Sequence, residues 1–166
     1  MPNYRRPAVT MGPVFFTATL ADRTSSRLVD DIDRLRHAVR VTKTERPFDI
    51  LACVVLPDHL HCIWALPPGD RDYPTRWRLI KSRFSRGLPL GPLRESHRNR
   101  QERGIWQRQY WEHHIRNAAD FEAHMQHIWM NPVKHGLVER PEEWPYSSVH
   151  RDIRIGRFVP DMARVP

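Results

Sequence analysis

Hydrophobic positions along the chain change period several times, and each change predicts an element. Val14-Phe-Phe-Thr-Ala-Thr-Leu20 is β-branched and aromatic and predicts a first strand. Ser25 and Ser26 then offer N-caps, with Asp30, Asp31 and Asp33 in the early turns. Leu28, Ile32, Leu35 and Val39 recur at helical spacing, which predicts one amphipathic helix ending before Pro47. Phe48 to Leu56 predicts a second strand, Pro57-Asp58 a tight link, and His59 to Leu66 a third strand antiparallel to the second. Pro74 opens a second helix that turns Trp77, Ile80 and Phe84 inward and places Arg76, Lys81, Arg83 and Arg86 on other faces. Gly87 to Gly104 is polar and basic and predicts a long mobile loop. Ile105 to Ile115 predicts a fourth strand. Asn117 caps a third helix from Ala118 to about Asn131, disturbed by Pro132, with Gly136 ending the following turn. Pro141-Glu-Glu-Trp-Pro-Tyr-Ser-Ser148 predicts a loop that packs its aromatics against the domain before a short helix.

The order β-α-β-β-α-β with an added C-terminal helix predicts an α+β fold, a ferredoxin-like βαββαβ sandwich. Its antiparallel sheet would carry helices on one face and leave the other free as a platform for nucleic acid. A chain of 166 residues favours one domain over 1–166, with the core at about 10–150 and the 87–104 loop mobile. Composition excludes two classes. With 40% hydrophobic and 28% charged residues the chain is neither a disordered nor a membrane sequence. No apolar run approaches the ~18 residues of a span. The basic start Tyr4-Arg5-Arg6 is broken by Pro7 with no apolar signal core behind it, so the expected compartment is the cytoplasm. Lys and Arg number 27 against 19 acidic residues, and the resulting charge of +8 suits a polyanionic partner. Cys53 and Cys62 sit in apolar strand segments without C-x-x-C spacing, which predicts buried thiols of a reducing compartment rather than zinc ligands or a disulfide.

Candidate chemistry concentrates in Pro57-Asp-His-Leu-His-Cys-Ile-Trp64. Side chains alternate on a strand, so His59 and His61 project from one face about 7 Å apart and could chelate a single transition-metal ion. H-x-H alone is equally compatible with two hydrogen-bonded histidines on a half-exposed sheet. On the third helix His124, His127 and Asn131 share a face. The Asn131 carbonyl oxygen could complete a two-histidine site and leave positions for water and phosphate. The alternative is a solvated histidine face that ends in an Asn before Pro. Phe121, Met125 and Ile128 form a packing stripe with no cofactor implied. Trp106-Gln-Arg-Gln-Tyr-Trp111 and Arg76-Trp-Arg78 interleave aromatic and basic residues as single-strand platforms do, although core packing claims at least half of these rings.

His59-Leu60-His61, after an apolar strand and a Pro-acidic turn, resembles the HUH motif (His, hydrophobic, His) of single-strand transposases. Ile105-Trp-Gln-Arg-Gln-Tyr-Trp-Glu-His113, Asn131-Pro-Val-Lys-His-Gly136 and Glu143-Trp-Pro-Tyr-Ser-Ser148 resemble the REP-associated tyrosine transposases of that superfamily, as do Gly12 to Leu20 and Arg46-Pro-Phe-Asp-Ile50. The resemblance spans roughly Tyr4 to Gly156. It implies an HUH domain that binds a single-stranded DNA hairpin of a repetitive palindromic element, reads a short flanking tetranucleotide and cleaves beside it. It implies a divalent metal, Mg²⁺ or Mn²⁺, on His59, His61 and Asn131, with no small-molecule cofactor and no membrane, in a monomer or homodimer. The residues expected at the DNA are Arg5, Arg6, Arg76, Lys81, Arg83, Arg108 and Lys134.

The family places a nucleophilic Tyr four residues before the metal-binding Asn, and here that position is His127. In the family the metal polarises the scissile phosphate while the Tyr oxygen attacks, giving a 5′-phosphotyrosine and a free 3′-OH. An imidazole there implies a labile phosphoramidate, activation of water, or a third metal-binding His that blocks the site. Three functions follow: a metal-dependent strand-cleaving transposase at full or reduced activity, a domesticated hairpin-binding module that no longer cleaves, and, more distantly, a ferredoxin-like RNA-binding protein with a structural histidine pair.

Overall fold

The computed structural model describes residues 12–91, 95–96 and 103–160, so Arg5, Arg6 and most of the predicted mobile loop lie outside the described residues. Strands β1 (Val14–Thr19), β2 (Asp49–Val55), β3 (His59–Ala65) and β4 (Trp111–His114) form one antiparallel sheet in the order β2-β3-β1-β4. With α2 (Ile32–Glu45) between β1 and β2 and α3 (Tyr73–Ser85) between β3 and β4, this is the expected ferredoxin-like arrangement.

The second face of the sheet is not free, which corrects the expected one-sided sandwich. On one face Phe16, Cys62 and Trp64 pack with Leu35 of α2 and with Trp77, Ile80 and Phe84 of α3. On the other, Phe15, Ala52, Val54 and Ile63 pack with Met125, Ile128 and Trp129 of α4 (Ala118–Lys134) and with Val149 of α5 (Val149–Arg154). The cause is legible in the strands themselves. Adjacent residues such as Phe15 and Phe16, or Cys62 and Ile63, are all apolar, and a sheet that is apolar on both faces needs a layer on each.

Three elements differ in extent from the sequence pattern. The first helix is broken: α1 (Arg27–Asp30) makes one turn, and α2 starts after Asp31, whose φ is −106°. The break falls where Asp30, Asp31 and Asp33 cluster, and Ser26 Oγ donates to Asp30 Oδ2 at 2.5 Å. The fourth strand is four residues long rather than eleven. Thr17 pairs with Trp111 but Leu20 bridges Trp106, so the partner chain carries a two-residue excess that bulges between them. The last long helix runs through Pro132 to Lys134 instead of ending near Asn131, with the missing Pro N–H confined to its final turn.

The edge of β2 is covered by the tail. Val55 N–H donates to Tyr146 O at 2.8 Å, Ser148 N–H to Cys53 O at 2.8 Å, and Trp144 Nε1 to Val55 O at 2.9 Å. Cys53 and Cys62 are direct cross-strand partners with free thiols; Cys62 is buried and Cys53 half-buried. Among the described residues no helix is long and apolar enough to cross a membrane.

Candidate metal centre and DNA interface

His59 and His61 both emerge from β3 toward α4, with ring centroids 4.9 Å apart. Both are buried at 7% exposure, so each imidazole needs a defined hydrogen-bond partner. Asp58 supplies one: its Oδ1 lies 2.8 Å from His59 Nδ1, while Arg23 Nε donates to its Oδ2 at 2.6 Å. Thr17 on the neighbouring strand supplies the other, with Oγ1 2.7 Å from His61 Nδ1. With protons on the two Nδ1 atoms, both Nε2 lone pairs are left free, which is how outer-shell partners orient metal-binding histidines. Burial pushes the Asp58 carboxyl up, but the hydrogen bonds of Arg23 and His59 outweigh this and leave it below the usual carboxylate range.

The helix α4 brings His127, Asn131 and His135 to the same place, because residues four apart stack along one helix face. The His127 ring lies 4.9 Å from that of His61, and the His135 ring 5.2 Å from that of His59. Asn131 is buried at 2% exposure. Its Nδ2 donates to His127 Nε2 at 3.3 Å, and its Oδ1, also buried, has no hydrogen-bond partner. An orphaned buried carbonyl oxygen is rare in folded proteins, and here it sits on the helix that faces the two free Nε2 atoms. Burial, reinforced by the neighbouring histidines and Lys134, pushes His61 down to about 3, and burial lowers His127 and His135 as well. These shifts favour neutral imidazoles at His61, His127 and His135, the form that binds metal. Two imidazoles and an unpaired amide oxygen fit a divalent cation.

Phe15 extends the cluster toward β4. Its ring stacks on His61 at 5.6 Å and meets His124 at 4.8 Å and His127 at 5.8 Å. Beyond it, His113, Asp120 and His124 form the one set of three His, Cys, Asp or Glu side chains, among the described residues, whose ligand atoms lie within 4.8 Å of one another. This is a second group able to hold a cation, but its atoms already bond to each other. His113 Nε2 is 2.8 Å from Asp120 Oδ2, and His124 Nδ1–H donates to Asp120 O at 2.8 Å. It ties β4 to the first turn of α4. His124, expected on the face of His127 and Asn131, belongs to this second group.

The position preceding Asn131 by one turn is His127, and among the described residues no tyrosine stands near it. Tyr73, Tyr110 and Tyr146 all pack against the core on the opposite face of the sheet, and Tyr4 lies outside the described residues.

The basic residues separate into two groups. Lys134 is exposed at the histidine cluster, where its charge helps depress the three imidazoles. Arg76 is not a surface cation. Its guanidinium is 2% exposed and spent on Asp70 and on the carbonyls of Arg46, Pro47 and Asp72, which removes it from the expected DNA contacts. Arg83 is bound to Thr42 and Glu45, and Lys81 to Gln107 O beside the Trp106 and Tyr110 rings. Arg108 is exposed, 3.4 Å from Ser96 Oγ. The aromatic-basic segments divide similarly: Trp77 and Trp106 are in the core, and Trp111 is 66% exposed.

The sequence pattern missed Thr17, Asp58, Phe15 and His135. His135 follows Asn131 at the same four-residue step that links Asn131 to His127, so helical spacing could have found it. Thr17 depends on strand register, which no local pattern encodes.

No protein-family model matches the chain. It is 44% identical over 163 residues to the REP-associated tyrosine transposase of Escherichia coli (strain K12), covering 98% of this chain and 92% of that protein. A relative from Haemophilus influenzae, named as a transposase of the same kind, is 44% identical over 169 residues, covering 100% of this chain and 96% of its own. The solved structure of the REP-associated tyrosine transposase bound to a REP hairpin superposes with a TM-score of 0.79 at 43% identity, covering 96% of this chain and 89% of that one.

Proposed function

The chain belongs to the REP-associated tyrosine transposases, and from that premise we propose that it binds single-stranded hairpins of repetitive palindromic DNA and seats a scissile phosphate at a cation pocket, with strand cleavage impaired by His127. What supports this reading is that His59 and His61 face the α4 surface carrying His127, Asn131 and His135, with the Asn131 Oδ1 buried and unpartnered. His59, His61 and Asn131 would hold Mg²⁺ or Mn²⁺, which when bound supplies positive charge to a phosphodiester oxygen. Asp58 and Thr17 orient the two imidazoles. Lys134 adds charge at the mouth of the pocket, where a phosphate needs it. His127 Nε2 accepts from the Asn131 amide and so turns Oδ1 away from itself. In this arrangement His127 is a positioning residue. The protein acts in the cytoplasm, as a monomer or homodimer and as a single domain over 1–166.

A second reading, a hairpin-binding module that does not cleave at all, is favoured by one observation: each described tyrosine packs on the far face of the sheet. The deciding experiment is a labelled hairpin with a single-stranded flank, incubated with Mn²⁺ and either this protein or its His127→Tyr variant. This protein is expected to bind the hairpin more tightly than the equivalent duplex, with affinity falling steeply with salt, and to form no denaturation-resistant adduct. The variant is expected to form one. Equal affinity for the duplex overturns hairpin binding, and cleavage by both proteins at equal rates overturns the impairment.

A further inference from the structure

Resting on that hairpin-binding reading, we propose that Trp111 is the stacking platform for a base of the single-stranded flank beside the phosphate at the His59–His61 pocket.

Strand register places the ring there. Trp111 is paired directly with Thr17, and Thr17 with His61, so the three side chains stand in one row on one face of the sheet. Alternation along β4 supports this placement: Glu112 and His114 point to the other face, where both lie against Tyr73. His113, on the same face as Trp111, contacts Asp120 of α4. Two strand spacings separate His61 from Trp111, a backbone distance of about 10 Å. That is close enough for a base flanking a phosphate held at the histidines.

The helix that covers this face leaves the Trp111 end open. It crosses the sheet with His124 over Phe15 and His127 beside His61. Thr17 is only half-buried, and Trp111 is 66% exposed. No other aromatic ring of the described residues is exposed to this degree, and the neighbouring Trp106 and Tyr110 are spent on packing. An exposed indole in a basic protein, in register with Thr17 and His61, matches the way single strands are held: cations take the backbone and aromatic faces take the bases. The bulge between Trp106 and Trp111 fixes the register that turns this ring outward.

The test measures binding by fluorescence anisotropy for this protein, Trp111→Ala and Trp111→Phe. The probes are a flush-ended REP hairpin, the same hairpin with a randomised four-nucleotide single-stranded flank, a duplex of the hairpin's stem length, and an unstructured single-stranded 12-mer. Trp111→Ala is expected to lose roughly tenfold or more on the flanked hairpin and the 12-mer, with no change on the flush hairpin, and Trp111→Phe to recover most of the loss. Unchanged affinity for the flanked hairpin, or an equal loss on flanked and flush hairpins, overturns the proposal. Should the flush hairpin bind no better than a duplex while the 12-mer still depends on Trp111, hairpin recognition falls and the stacking role stands.

Discussion

The hydroxyl of Thr17 lies 2.7 Å from Nδ1 of His61, across the pairing of β1 with β3. This contact occupies Nδ1 and leaves Nε2 as the remaining nitrogen of a ring that lies 4.9 Å from that of His127. Outer-shell partners of this kind affect metal affinity by ~10–100-fold. Thr17→Val preserves the strand and removes the hydroxyl, so calorimetry is expected to show Mn²⁺ affinity weakened within that range, and urea unfolding a loss of roughly 1–3 kcal/mol for the unpaired Nδ1.

The neutral state of His61 has a pH consequence in the metal-free protein. Its ordinary value of 6.5 falls to about 3, chiefly through burial. Between these values the unfolded chain binds more protons than the folded one, so stability is complete above the ordinary value and declines as pH falls through that window. In EDTA, urea midpoints are expected to fall between pH 7 and pH 4 more steeply for this protein than for His61→Gln. Parallel slopes would show that His61 is not the group responsible.

Arg76 and Lys134 are expected to fail in different ways. Arg76→Ala leaves Asp70 and three backbone carbonyls without their donor and should cost about 3 kcal/mol in urea unfolding. Lys134→Ala should leave stability within ~0.5 kcal/mol and reduce the salt slope of hairpin binding by about one. If Arg76→Ala changed the salt slope instead, its guanidinium would have to reach DNA.

Burial pushes the Cys53 thiol up to about 12, and the adjacent Cys62 well above its ordinary range. Neither thiolate is populated at neutral pH. A disulfide-exchange reagent at pH 8 is expected to leave both thiols unmodified in the folded protein and to titrate two per chain in denaturant.

Much of this architecture was legible in the chain because apolar period is a local property. β1, β2, β3 and α3 fall where their patterns place them, and His59 and His61 share a face because a strand alternates. Extent was less legible. The eleven-residue strand shrank to four because pairing of Leu20 with Trp106 depends on a bulge, and bulges are set by both strands together. The second helical layer followed from apolar residues on both faces of β1 and β3, a pattern that reading alternate positions overlooks. Arg76 illustrates the limit for surface chemistry: a basic residue beside Trp77 has the composition of a DNA contact, while its burial is decided by Asp70 and the Arg46–Pro47 turn. Asn131 shares the helix face of His127 as the spacing predicts, but its unpartnered oxygen is a property of three dimensions.

The central claim, that strand histidines and a helix amide share one cation, is tested most directly by Mn²⁺ calorimetry on four proteins. The wild-type chain and His113→Gln are expected to bind one ion each with the same affinity, Asn131→Ala to bind more weakly by tenfold or more, and the His59→Ala, His61→Ala double variant not to bind. Binding retained by the double variant and lost in His113→Gln would contradict the account and move the ion to the His113–Asp120–His124 group.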